Sequence, residues 1–226
     1  VRNDHHHKGR HLKVTLLRKL GKFEAAKKFA EESLERDLFN FGALYELYLT
    51  YGIQNNEARA QEYLKLFETR IRGNSHSFIE ISVDYYQAGF IEEAISMLSL
   101  IENKTLDPML YYYLGYYHSL NGDLPKGKLA YQEAQAIEPE YCFPNRLEDI
   151  LVLNHAIQAD MYNSSKANYY LGNLWYDKRQ YKQAIQHWEE SAKLNSEFPT
   201  VHRNLAIAYF NKNNNPAFAL KSLEKA

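Results

Sequence analysis

Between Ser165 and Phe198 the apolar residues fall into two stripes. Leu171, Leu174 and Trp175 form the first, and Tyr181, Ala184, Ile185 and Trp188 the second. Steps of three and four place each stripe on one face of a helix. The polar run Asp177-Lys178-Arg179-Gln180 between them reads as a short turn. The segment is therefore a predicted helix hairpin, closed by a chain break at Pro199. Within it, the small residues Gly172 and Ala184 let the helices approach closely, and the bulky Trp188 fills the space beside them.

The same ruler fits elsewhere. A second unit from Pro108 carries Tyr111, Leu114-Gly115, Tyr131, Ala134 and Pro139; Gly115 to Tyr131 and Gly172 to Trp188 are both sixteen steps. Degenerate copies keep the phase: Leu17, Leu20-Gly21 and Ala26; Leu47, Tyr51, Ala60 and Leu64; Ile81, Tyr85, Ala94 and Leu98; Leu205-Ala206, Tyr209, Ala219 and Leu223. Starts near 7, 41, 75, 108, 165 and 199 give a period of 33–34 with one gap. A period of this size marks a repeat architecture. Gly21, Gly89 and Gly122 sit where helices end and are expected in the left-handed cap conformation. One hairpin cannot bury its apolar faces alone, so stacked neighbours must share a core.

The Leu-Gly pair, the aromatic after it, and the later Ala, aromatic, Ala and Pro resemble the tetratricopeptide repeat (TPR) family. The resemblance covers nearly all of 7–226 apart from the gap. It implies an all-α fold, a right-handed α-α superhelical solenoid of helix hairpins, with a concave groove lined by the first helix of each unit. Groove positions lie two before, and two and five after, the Leu of the pair. Here these are Tyr169, Asn173 and Tyr176; Tyr112, Tyr116 and Ser119; and Arg203, Ile207 and Phe210. The degenerate units add Tyr45, Leu49, Ile79, Val83 and Tyr86. The implied role is a protein-protein interaction scaffold presenting a Tyr-rich groove to a peptide or partner protein. The bland alternative is a groove filled by the chain itself or by a neighbouring domain. Some family members clamp a carboxylate with Lys and Asn; Asn173 and Asn204 fit two such positions, but Tyr169 replaces the expected Lys, which puts that chemistry in doubt. Arg203 still offers a bidentate contact to an acidic group. The run Tyr141-Cys142-Phe143-Pro144-Asn145-Arg146-Leu147, with the two units after it, is similar to bacterial multidomain proteins in which TPRs accompany a β-sandwich domain of unknown function (DUF5107). That resemblance implies an accessory region of a carbohydrate-active protein, with a companion β-sandwich domain.

The gap divides the chain into an N-terminal array over 1–141, an irregular insert over 142–164 and C-terminal units over 165–226. Pro144 and Asn145 read as a helix start, and Leu147, Ile150, Leu151, Ile157 and Met161 keep helical spacing, so one extra helix is expected over about 146–160. It is either a hinge or partner-docking corner, or a degenerate unit that lost its first helix.

Charge and candidate chemistry refine this picture. A net charge of -1 argues against nucleic acid as a partner. Residues 1–28 nevertheless carry nine Lys/Arg against two Asp/Glu, so this end suits an acidic partner or is simply a solvated face. No apolar run is long enough for a membrane span. The chain begins at Val1 and stops within a helical pattern, which reads as an excised fragment; a cytoplasmic setting is expected, and exposed Leu220 and Leu223 would favour self-association as a homo-oligomer. His5-His6-His7 with His11 is the one candidate metal cluster, and adjacent histidines rarely give a closed geometry. His118, His155, His187 and His202 are scattered, and Cys142 is a lone cysteine. No phosphate-binding glycine loop occurs. Neither enzyme chemistry nor a cofactor is expected.

Overall fold

The structure is a computed structural model that describes residues 6–101, 106–138 and 142–226. Val1, His5, Pro139 and Tyr141 lie outside the described residues. Among the described residues the chain forms thirteen α-helices and one short 3-10 turn, and no strand. The helices divide into two compact units, Val1–Thr105 and Leu106–Ala226. The first is a stack of hairpins, and the second stacks three hairpins with one single helix.

The first unit holds three hairpins: α1 (His7–Lys19) with α2 (Phe23–Arg36), α3 (Phe41–Ile53) with α4 (Glu57–Ile71), and α5 (Ser75–Gln87) with α6 (Ile91–Ser99). Asparagines start three of these helices. Asn40, Asn56 and Asn74 each accept from a backbone N–H of the first turn, at 3.0, 3.3 and 2.9 Å. Gly21 and Gly89 end helices with φ of +70° and +83°. Val14, Ala26, Ala30, Ala43 and Leu47 form a core cluster on which Leu17, Phe29, Tyr51 and Tyr63 pack. The small residues among them let α1, α2 and α3 approach closely.

A buried polar network crosses this core. Glu46, fully buried, accepts from Arg18 Nε at 2.6 Å, Arg18 Nη2 at 3.2 Å, Thr15 Oγ1 at 3.0 Å and the Tyr85 hydroxyl at 2.6 Å. Burial and the adjacent Glu46 charge push the Tyr85 phenol well above its ordinary value, so it remains a donor. Arg18 also reaches Glu93 at 3.4 Å, and Lys19 pairs with Glu93. Lys8 meets Asp84 at 2.7 Å and Lys27 meets Glu24 at 2.6 Å. Much of the basic N-terminal end is thus answered by carboxylates of its own unit. The histidine cluster separates: His6 caps α1 by accepting from Gly9 N at 3.0 Å, His7 faces Asp37 at 3.4 Å, and His11 is buried edge-on to Tyr85.

The second unit holds α7 (Pro108–Leu120) with α8 (Leu124–Ala136), a single helix α9 (Leu147–Ala159), α10 (Ser165–Asp177) with α11 (Tyr181–Leu194), and α12 (Pro199–Asn211) with α13 (Pro216–Leu223). A Cβ at Gly115 would strike the Tyr131 ring, and one at Gly172 would strike the Trp188 indole. The paired spacing in the sequence is this contact, made twice. α9 packs on both α7 and α10. Asp149 fixes its start. The carboxylate is fully buried and accepts from Asn145 N and Arg146 N, each at 2.9 Å, and from the Tyr113 hydroxyl at 2.7 Å.

Candidate binding wall

The first helices α10 and α12 lie side by side in the second unit, joined through asparagines. Asn204 Nδ2 donates to Asn173 Oδ1 at 3.1 Å, and Trp188 Nε1 donates to the same oxygen at 3.0 Å. The indole N–H also points at the Tyr169 carbonyl at 3.2 Å. One small residue, Gly172, therefore seats the ring that orients Asn173. Tyr176 stands next to this pair, its ring 5.3 Å from Trp188 and 5.1 Å from Tyr181. On α12 the face at Arg203, Ile207 and Phe210 is exposed, Ile207 at 45% and Phe210 at 61%. Spacings of four and three keep these three side chains in line. The result is a strip with a cation, an amide pair and apolar rings.

The other positions expected in the groove behave differently. Tyr45, Tyr112 and Tyr169 are core residues, 2%, 1% and 5% exposed. Tyr45 packs on Phe67 and Tyr85, Tyr112 on Tyr131 and Tyr170, and Tyr169 on Phe198. Ile79 and Val83 are also buried. Tyr86 and Tyr116 are half-buried, and the Tyr116 ring meets His155 edge-on at 5.3 Å. The position two before the Leu thus goes to packing in these units, while the positions after it, Val83 excepted, stay nearer the surface.

A cavity of about 380 Å³ opens beside α9, lined by Tyr112, Gln135, Ala156, Asp160, Asn163 and Ala167 among others. Its polar groups are largely engaged: Gln135 Oε1 accepts from the Tyr112 hydroxyl at 3.4 Å and from Lys166 N at 3.3 Å. At its edge the Tyr131 hydroxyl and His155 Nδ1 lie 2.7 Å apart. Burial lowers the His155 pKa and raises that of Tyr131. Cys142 is buried with Sγ 4.0 Å from Asp107 Oδ1, and burial pushes its thiol up, away from the thiolate a nucleophile needs. Among the described residues no three His, Cys, Asp or Glu gather in a metal-ligating group, and no helix is long and apolar enough to cross a membrane.

Residues 172–213 match the model of the TPR repeat family. The matched stretch spans the end of α10 through α12, which holds most of the strip. Among solved structures, the chain is similar to MamA at 18% identity, with 79% of this chain and 91% of that one covered and a TM-score of 0.36. It is also similar to YrrB, a TPR protein whose structure is described as having an unusual peptide-binding site, at 16% identity over 99% and 86% of the two chains with a TM-score of 0.35. A third similarity is to a thermophilic TPR protein of Thermus thermophilus, at 18% identity over 91% and 100% with a TM-score of 0.33.

Proposed function

We propose that this TPR-like helical repeat chain is a protein-interaction scaffold, with a binding rather than a catalytic role, whose strip on α10 and α12 receives an extended peptide segment of a partner protein. Asn173, Tyr176, Arg203, Asn204 and Phe210 form the contact surface. The observation that carries this reading is the Asn204–Asn173 hydrogen bond at 3.1 Å. It holds two amides on neighbouring helices in a fixed register. Amide side chains both donate and accept, which matches an extended backbone. Beside them Ile207 and Phe210 offer apolar area, and Arg203 offers a charge-assisted contact to an acidic residue. Buried aromatic and arginine anchors dominate the energetics of such contacts.

Peptides selected by display on the intact protein test this directly, with affinities read by fluorescence anisotropy. Combined replacement Arg203→Ala and Phe210→Ala is expected to weaken the selected peptides about tenfold or more. Both side chains are exposed, so the fold is kept. Peptides indifferent to that pair of changes would refute the assignment.

A second reading rests on α13, where Phe218, Leu220 and Leu223 are 54%, 61% and 56% exposed. An apolar face of this kind suits contact with a second copy of the chain. Sedimentation velocity separates the two readings: concentration-dependent dimerisation lost in Leu220→Glu supports self-association, and a monomer at all concentrations removes it.

A further inference from the structure

In the first unit, α1, α2 and α3 meet at a polar cavity of about 390 Å³ lined by His7, Arg10, Ser33, Arg36, Asp37 and Asn40. Asn40 is only 5% exposed and caps α3, its Oδ1 accepting from Ala43 N at 3.0 Å. The oxygen is thereby committed to the helix, and the amide nitrogen is the donor that remains. That Nδ2 is buried and has no partner among the described residues. Arg10 shows the same deficit. Its Nε donates to Ser33 Oγ at 2.9 Å and its guanidinium stacks on Phe29 at 4.2 Å, yet Nη2 is buried without a partner among the described residues. Ser33 does not relieve it, because its hydroxyl donates to the Phe29 carbonyl at 2.6 Å. Buried donors are rarely left unpaired in native structures, and an unexplained one signals a missing acceptor. Here two belong to residues that line one cavity.

We propose that this cavity is a binding site for a phosphate group, either inorganic phosphate or the phosphate of a small phosphorylated compound. Arg10 of α1, Arg36 at the end of α2 and Asn40 at the start of α3 supply donors from three helices. A tetrahedral oxyanion presents acceptors in three directions, whereas a carboxylate presents them in one plane. The N-terminus of α3 adds its partial positive charge. Asp37 is the one acidic residue in the lining; its carboxylate accepts from Phe39 N at 2.9 Å and faces His7 at 3.4 Å. This site is independent of the strip on α10 and α12, and the two stand or fall separately.

Calorimetric titration of the intact protein with inorganic phosphate, with glycerol phosphate and with acetate tests the assignment. Saturable millimolar or tighter binding of either phosphate, with acetate much weaker, is the expected result. Tighter binding of glycerol phosphate identifies the organic form as the ligand class, and preference for inorganic phosphate identifies the free ion. No saturable binding of either phosphate, or acetate binding as tightly, overturns the proposal. Asn40→Asp keeps a good helix cap but replaces the donor with a carboxylate, and should cost phosphate at least about tenfold in affinity. Should that variant lose its cooperative melt, Arg36→Gln, at an exposed position, carries the same expectation. Asp37→Asn removes the competing charge and should tighten binding; weaker binding there contradicts the site.

Discussion

At the scale of single residues, Gly172 shows how closely local packing governs the surface. Its missing Cβ admits the Trp188 indole, the indole N–H orients Asn173, and Asn173 receives Asn204. Gly172→Ala forces overpacking and should lower stability by about 1–3 kcal/mol. Gly52, in the last turn of α3, has nothing within 4 Å of where a Cβ would sit apart from its chain neighbours and its own helix backbone. There alanine is expected to raise stability by about 0.4–1 kcal/mol, because it restricts the unfolded chain without a clash. Urea unfolding of the two variants checks the pair; equal effects would contradict the distinction. The sequence spacing of glycine and aromatic made the Gly172 contact legible in advance. It did not distinguish Tyr169 from Tyr176. Both keep the groove ruler, but the Phe198 ring, brought in by the turn before α12, lies 4.8 Å from Tyr169 and packs it into the core. That is a long-range contact, which periodicity along one helix does not encode.

At the scale of elements, the hairpins follow from stripe period, turn and proline. The buried ionic groups do not. Glu46 and Asp149 sit at helical positions that read as ordinary polar faces, and only the partners arriving from α1, α5 and α7 explain their burial. For Asp149 a faint signal exists, since it falls in the first turn after the Pro144-Asn145 helix start. α9 has no second helix of its own, so its start depends on this carboxylate. Asp149→Ala removes the acceptor of two backbone N–H groups and one phenol, costing about 1–3 kcal/mol for each buried donor left unpaired. The measurable outcome is loss of amide-exchange protection that begins in α9. Uniform loss across the second unit, or none, would contradict that role.

At the scale of the whole molecule, histidines set a pH dependence. Burial lowers the pKa of His11, His155 and His187. For His11 the charges of Glu46 and Asp84 oppose that shift, and Arg18 and Lys8 reinforce it. The unfolded chain therefore binds protons below about pH 6.5 that the folded chain resists, and stability falls as pH drops through that value. The ordinary histidine range places this loss between about pH 7.5 and pH 5.5. The urea midpoint should be lower near pH 5.5 than near pH 7.5, and a midpoint that rises on acidification would contradict the burial of these rings.

On the proposed function, a partner lies against the exposed strip of α12. A photo-crosslinking amino acid placed at position 207 or 210 of the full-length protein, in its own cells, reports contact at that strip. The same group at Lys193 on α11, which is well exposed and off the strip, serves as the reference. Crosslinked partner from 207 and 210 but not from 193 is the predicted result. Equal crosslinking at all three sites, or at 193 alone, would contradict it.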